Sequence, residues 1–183
     1  MKKTARMRIL TLLMTVLLLL AGCQREDNPQ PQTGGNRFPV PVDREMYFGM
    51  TVAQVVNHWG EPETTTDTPA NGGQELTYTR QVLGVSATVK LGVYPIGDQQ
   101  TLQTMELRLP TGTTPERRRL LIALTEEVEA TYADDEAFMW LQNPADSTEI
   151  TEGAFAVDLG DSGLYGSVTS MEDGIVLLCY NVD

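Results

Sequence analysis

The ten residues VSATVKLGVY, at 85–94, carry the pattern that decides the fold. Apolar residues at every second position alternate with mostly polar ones, the apolar set being Val85, Ala87, Val89, Leu91 and Val93. Successive side chains of a strand point to opposite faces, so this period of two predicts a strand with one apolar face. Antiparallel sheets tolerate water on one face. We therefore expect an antiparallel sheet with one buried face and one exposed face.

Further strands are predicted on both sides of this stretch. Residues 76–83 form a preceding hairpin arm that turns near Gly84, because glycine favours tight turns. Residues 103–109 repeat the alternation, with apolar side chains directed inward. Four more strands are separated by turn residues such as Asn, Pro, Asp and Gly, and they are predicted at 137–142, 153–159, 164–171 and 175–182.

Two helices complete the pattern. Thr51 is a good N-cap, and Gln54 three residues later completes a capping box. Gly60 lies where a left-handed residue ends a helix. Thr114 can cap the second helix, whose apolar stripe consists of Leu120 or Leu121, Leu124, Val128 and Tyr132. The predicted class is α+β, an antiparallel sheet with two helices packed on one face, in the order helix, three strands, helix, four strands.

The N-terminus has the features of a secretory signal. Four basic residues precede an apolar run at 9–21, which is shorter than the roughly 20 residues that a membrane-spanning helix requires. The run ends in LAGC at 20–23, which resembles the lipobox of bacterial lipoproteins. The resemblance implies cleavage before Cys23 and covalent lipid on that residue. The membrane is therefore the first expected partner, reached through the lipid on Cys23.

The predicted domain organisation follows from this anchor. Residues 1–22 are a signal peptide, and 23–45 are the lipidated Cys23 with a tether rich in Pro, Gly and polar residues. Residues 46–183 are a single α+β domain, with two halves at 46–110 and 111–183 as the open alternative. The expected location is the cell membrane or the outer membrane, with the domain on the extracytoplasmic side.

Charge and cysteine content exclude several functions. The chain has 13 Lys and Arg against 25 Asp and Glu, and removal of residues 1–22 would leave nine basic residues and a net charge of −16. Such a charge argues against nucleic acid, which is bound by neutralising phosphates. With Cys23 lipidated, Cys179 has no disulfide partner, and there is no cysteine-based metal site.

Candidates for catalysis are weak. His58 is the only histidine, and the sequence offers it no obvious acid–base or metal partner. The string GDSG at 160–163 resembles the serine-protease tetrapeptide, but LYG follows it in place of Gly-Pro, so a hairpin turn is predicted. We therefore predict no catalytic residue, no metal, no cofactor and no enzymatic activity.

The stretch GMTVAQVVNHWGEP, at 49–62, resembles a family signature. It is similar to G-M-T-x-x-x-V-x-x-x-x-G-x-P, the opening of the SmpA/OmlA-type small outer-membrane assembly lipoproteins and of domains like the β-lactamase inhibitor protein. The matching positions are Gly49, Met50, Thr51, Val55, Gly60 and Pro62. The resemblance implies a helical segment packed on an antiparallel sheet, and a role in binding proteins.

The expected function is that of a membrane-anchored envelope lipoprotein, a protein-binding or scaffold module for an unknown envelope protein. The polar face of the predicted sheet supplies Thr88, Lys90 and Arg108 as candidate binding residues, because positive points on an acidic domain can attract an acidic partner. A small-ligand or peptide sensor that uses the same face is an alternative. A hydrolase is another, although it needs a base–nucleophile pair that the sequence does not show.

Overall fold

The computed structural model of this chain describes residues 37–39, 42–68, 71–134, 137–145, 152–158 and 163–182. The predicted signal peptide, Cys23 and residues 24–36 of the predicted tether lie outside the described residues, as do residues 160–162 of the GDSG string. No helix of the described segments is long and apolar enough to cross a membrane.

Two helices and eight strands form the described fold. Their order is α1 Val52–Trp59, β1 Thr64–Thr68, β2 Gly73–Val82, β3 Val85–Ile96, β4 Gln99–Pro110, α2 Thr114–Tyr132, β5 Phe138–Gln142, β6 Glu152–Asp158, β7 Gly163–Ser170 and β8 Gly174–Val182. All the strands belong to one antiparallel sheet with the order β1-β2-β3-β4-β8-β7-β6-β5. A mixed α+β architecture with an antiparallel sheet is therefore present.

The strand count of the first half differs from the prediction. Four strands, not three, separate the helices, because β1 was not foreseen. Its sequence, TTTDT, contains no apolar residue, and the strand lies at the edge of the sheet with most of its residues exposed. A strand that buries nothing gives no hydrophobic period to detect.

The helix caps explain where each helix begins and ends. The Thr51 side chain accepts a hydrogen bond from the Gln54 backbone (3.3 Å), and Gln54 Oε1 accepts one from the Thr51 backbone (2.8 Å), which confirms the capping box. Gly60 ends α1 with φ 82° and ψ −175°. The φ angle of Gly60 is positive, as predicted, but its ψ angle is extended and not left-handed helical. This combination of φ and ψ is essentially restricted to glycine. The second helix is capped by Thr113, one residue before the predicted Thr114.

The folded domain begins earlier than Met46. Phe38 is fully buried and packs against Phe48, with ring centroids 5.0 Å apart. Its backbone N–H donates to the Met46 carbonyl (3.1 Å), and the Tyr132 hydroxyl donates to the Arg37 carbonyl (2.7 Å). The predicted tether, 23–45, is therefore too long at its C-terminal end. Phe38 and Pro39 lie in a proline-rich stretch, and their burial depends on residues later in the chain that local composition does not reveal.

The core fills one face of the sheet. Inward side chains alternate along β3 and β4 as predicted, and the register aligns Val89 with Leu107 and Leu107 with Leu177. Rings from both helices reach this layer. Trp59 of α1 packs edge-on against Tyr78 (5.1 Å), and Tyr132 of α2 packs against Phe155 (6.1 Å). The predicted stripe of α2 is buried, including both Leu120 and Leu121.

Candidate functional site

The strand residues that alternate with the core form the other face of the sheet, which we call the outer face. The register arranges them in three rows that cross the strands. The first row contains Glu75, Gly92, Thr104, Tyr180, Tyr165, Ala156 and Met139. The second contains Thr77, Lys90, Glu106, Leu178, Ser167 and Ala154. The third contains Thr79, Thr88, Arg108, Val176, Thr169 and Glu152.

The structure places all three candidate binding residues on this face. Thr88 lies directly opposite Arg108 in the β3–β4 register, and Lys90 lies opposite Glu106. Lys90 Nζ forms an ion pair with Glu75 Oε1 at 2.9 Å, and Arg108 Nε forms one with Glu106 Oε1 at 2.5 Å. The hydrogen bond to Glu106 raises the pKa of Arg108. The two cations are therefore neutralised by neighbouring carboxylates and are not the isolated positive points that the sequence suggested.

Several large apolar and tyrosine side chains on β5, β7 and β8 are exposed on the outer face. We call this set the apolar half, and it consists of Met139, Tyr165, Leu178, Tyr180 and Val182. Tyr165 and Tyr180 are register partners whose rings stack 5.6 Å apart with planes 17° from parallel. Leu178 is 39% exposed and Tyr180 is 43% exposed. Apolar groups exposed together on a soluble domain commonly mark an interaction surface.

Tyr94, a third tyrosine, lies beside Gly92 and Thr104 of the first row. A Cβ placed on Gly92 would lie 2.1 Å from Thr104 Oγ1 and 3.0 Å from the Tyr94 hydroxyl. Gly92 therefore leaves room for the Tyr94 ring beside Thr104, which in turn pairs with Tyr180. Tyrosines combine an apolar ring with a hydroxyl that still forms hydrogen bonds, a combination favoured at protein interfaces.

The apolar run at 175–180 indicated part of the apolar half from the sequence alone. Residues 175–180 are apolar on both faces, which predicted a central strand and a buried thiol. Both are confirmed, since β8 pairs with β4 and β7, and Cys179 is fully buried. Burial also raises the pKa of the Cys179 thiol well above its usual value. The second apolar face, which includes Leu178, is exposed, and an interaction surface was the missed interpretation.

His58 has partners that the sequence did not reveal. Its Nε2 lies 2.9 Å from Asp43 Oδ2, and the same carboxylate oxygen accepts a hydrogen bond from Trp59 Nε1 at 2.8 Å. Burial of the Asp43 carboxyl opposes its ionisation, but hydrogen bonds from Trp59, the Glu45 backbone and His58 outweigh that cost and lower its pKa. The cluster ties the end of α1 to the segment before it. Asp43 and His58 are 15 positions apart in the sequence, so no local motif indicates the contact.

Within the described part of the chain, no group of three or more His, Cys, Asp or Glu side chains is placed to hold a metal ion. No family model, curated protein or solved structure matches the chain. The geometry of the outer face is therefore the basis for assigning a function.

Proposed function

We propose that this chain is a lipid-anchored envelope protein whose domain binds another protein through the outer face, without catalysis. The observation that carries the proposal is a nearly neutral, tyrosine-rich sheet face on a strongly acidic chain of net charge −12. The centres of protein interfaces are poor in charge and rich in tyrosine, so this face has the composition that such a centre needs.

The two halves of the face have different roles in this proposal. Stacked Tyr165 and Tyr180, with Leu178 beside them, supply apolar area that a partner would remove from water. We call Glu75, Lys90, Glu106 and Arg108 the polar half, and it supplies the two ion pairs at the rim. Exposed ion pairs contribute little affinity, but they restrict which partners can dock without an unpaired charge.

In the proposed arrangement, both helices cover the inner face of the sheet and leave the outer face free. The ring contacts of Trp59 with Tyr78 and of Tyr132 with Phe155 support this arrangement. Tyr78 and Phe155 alternate along their strands with the outer-face residues, so their side chains lie on the inner face. Each helix then precedes four strands, and the two groups of strands join between β4 and β8. A rigid sheet holds contact groups more accurately than loops do.

The proposed location follows from the N-terminus. Lipid on Cys23 would hold the chain at the cell membrane or outer membrane, with the domain on the extracytoplasmic side. The partner would then be an envelope protein. The resemblance of residues 49–62 to small assembly lipoproteins and inhibitor-like domains supports the same protein-binding role.

Site-specific photo-crosslinking in intact cells tests the proposal. A benzophenone amino acid replaces Tyr165 or Tyr180 on the outer face, and in matched controls it replaces Glu126 or Arg119, which are exposed residues of α2. We expect one protein adduct from both outer-face positions and none from the controls. Equal adduct yields at all four positions would contradict binding through the outer face.

A further inference from the structure

A pocket beside the C-terminal part of α2 suggests a second binding site. It has a volume of about 160 Å³ and is lined by Arg37, Phe38, Arg44, Glu127, Ala130 and Thr131. None of these residues belongs to the strands of the outer face. The pocket is formed where the chain entering the domain meets the C-terminal part of α2.

The walls of the pocket are fixed by contacts on both sides. The Arg37 carbonyl accepts a hydrogen bond from the Tyr132 hydroxyl at 2.7 Å. Phe38 is fully buried, and its backbone bonds to Met46. The backbone of Arg37 and Phe38 and the C-terminal part of α2 are therefore held against the core. Such order reduces the entropy lost when a ligand binds.

The charges in the pocket are not used elsewhere in the described fold. No ion pair joins Arg37, Arg44 or Glu127 to another described residue. Four cations elsewhere in the described fold are engaged: Lys90 and Arg108 in ion pairs, Arg80 over the Trp59 ring at 4.6 Å, and Arg117 on the carbonyls of Met171 and Glu172. With two guanidinium groups and one carboxylate, the lining of the pocket carries a net positive charge on an otherwise acidic chain.

The combination of groups defines the chemistry of the ligand. Guanidinium groups bind phosphate oxygens through paired N–H donors, which suits Arg37 and Arg44 to a phosphate. Glu127 would repel a simple anion from the same pocket, but its carboxylate accepts hydrogen bonds from an ammonium group. A ligand that carries a phosphate and a primary amine satisfies all three side chains.

We propose that this pocket binds a phosphoethanolamine group, with its phosphate on Arg37 and Arg44 and its ammonium on Glu127. Arg37 lies 14 residues after Cys23. A chain of that length reaches roughly 20 Å as a coil and roughly 43 Å when extended, so the headgroups of an anchoring membrane lie within range. The group can therefore come from a lipid headgroup or from a soluble phosphoethanolamine compound, and the lipid source rests on the proposed anchor.

Calorimetric titration of the purified protein in nonionic detergent tests the pocket directly. The probe is glycerophosphoethanolamine, and glycerophosphocholine is the comparison. In glycerophosphocholine, three methyl groups replace the N–H groups from which Glu127 would accept hydrogen bonds. We expect binding of the first to be at least tenfold tighter. Equal affinity for the two compounds, or binding of neither, would overturn the proposal.

Variants assign the binding to the pocket. Arg44→Gln and Glu127→Gln should each weaken glycerophosphoethanolamine binding at least tenfold. The matched controls Arg119→Gln and Glu126→Gln, which change exposed residues of the same helix outside the pocket, should leave it unchanged. Loss of binding in the controls, or its retention in both pocket variants, would contradict the assignment. The titration involves no protein partner, so its result is independent of the outer-face proposal.

The source of the group is distinguished by thiol protection. Ala130→Cys places a reactive thiol in the pocket, whereas Cys179 is buried. The variant is incorporated into vesicles that contain either phosphatidylethanolamine or phosphatidylcholine. The measured quantity is protection of the thiol at position 130 from a thiol-reactive reagent. Protection only in the vesicles that contain phosphatidylethanolamine supports a lipid headgroup. Protection only after soluble glycerophosphoethanolamine is added supports a soluble source. Absence of protection in both cases would overturn the site.

Discussion

The rings of Tyr165 and Tyr180 stack across the β7–β8 register with centroids 5.6 Å apart, and both remain exposed on the outer face. Stacked aromatic pairs inside proteins commonly serve the core. Here the core lies on the opposite side of the same strands, where Cys179 and Leu177 are fully buried. The pair is therefore available to a partner.

Replacing Gly60 should destabilise the fold, because its φ of 82° with extended ψ strains any residue that has a Cβ. We expect Gly60→Val to lower the free energy of unfolding by about 1 kcal/mol or more. The control Asn57→Val places the same side chain on an exposed position of α1. Chemical denaturation measures both variants, and an unchanged midpoint for Gly60→Val would show that this backbone is not retained.

Stability should depend on the ionised form of Asp43. Its pKa is lowered in the folded protein, so its contribution is present above the unfolded value of about 4 and is lost as the pH falls through the folded value. We expect Asp43→Asn to cost about 1 kcal/mol at pH 7 and to cost progressively less as the pH falls below the unfolded value and through the folded one.

Urea unfolding of wild type and Asp43→Asn across this pH range makes the measurement. Asp98→Asn, in the exposed β3–β4 turn, controls for the loss of one negative charge. If the difference between wild type and Asp43→Asn stays constant with pH, the hydrogen bonds to Trp59 and His58 do not stabilise the charged carboxylate.

The anchor depends on one residue. Cys23→Ser should abolish incorporation of labelled palmitate and release the chain from the membrane fraction, because the diacylglycerol thioether requires the cysteine sulfur. Cys179→Ser is the matched control, since that thiol is fully buried and should have no part in lipidation. Equal palmitate labelling of Cys23→Ser and wild type would refute the predicted lipobox.

Reversing the charges of the polar half should disturb both stability and binding. Lys90→Glu with Arg108→Glu places carboxylates beside Glu75 and Glu106, so like charges replace both ion pairs. We expect a melting temperature lowered by a few degrees, in line with about 1 kcal/mol, and reduced capture of the crosslinked partner. If both quantities stay unchanged, the polar half is not part of the binding surface.

Local chemistry predicted the elements with strong signals and missed those that depend on distant contacts. The capping box of Thr51 and Gln54 and the alternation around Val89 were sufficient to locate α1 and β3. The edge strand β1 buries nothing, so it left no pattern, and Phe38 packs against residues that follow it in the chain. Residues 175–180 are apolar on both faces, so the sequence located β8 but could not tell which of its two faces would be buried.

Binding through the apolar half is the central claim, and the most direct measurement compares Leu178→Glu with Ile96→Glu. Both variants place a carboxylate at an exposed apolar strand position, but only Leu178 belongs to the apolar half. The measured quantities are the melting temperature and the affinity for the crosslinked partner. We predict that Leu178→Glu raises the Kd at least tenfold while Ile96→Glu leaves it unchanged, with both variants melting close to wild type. Unchanged affinity in a folded Leu178→Glu variant would contradict the claim.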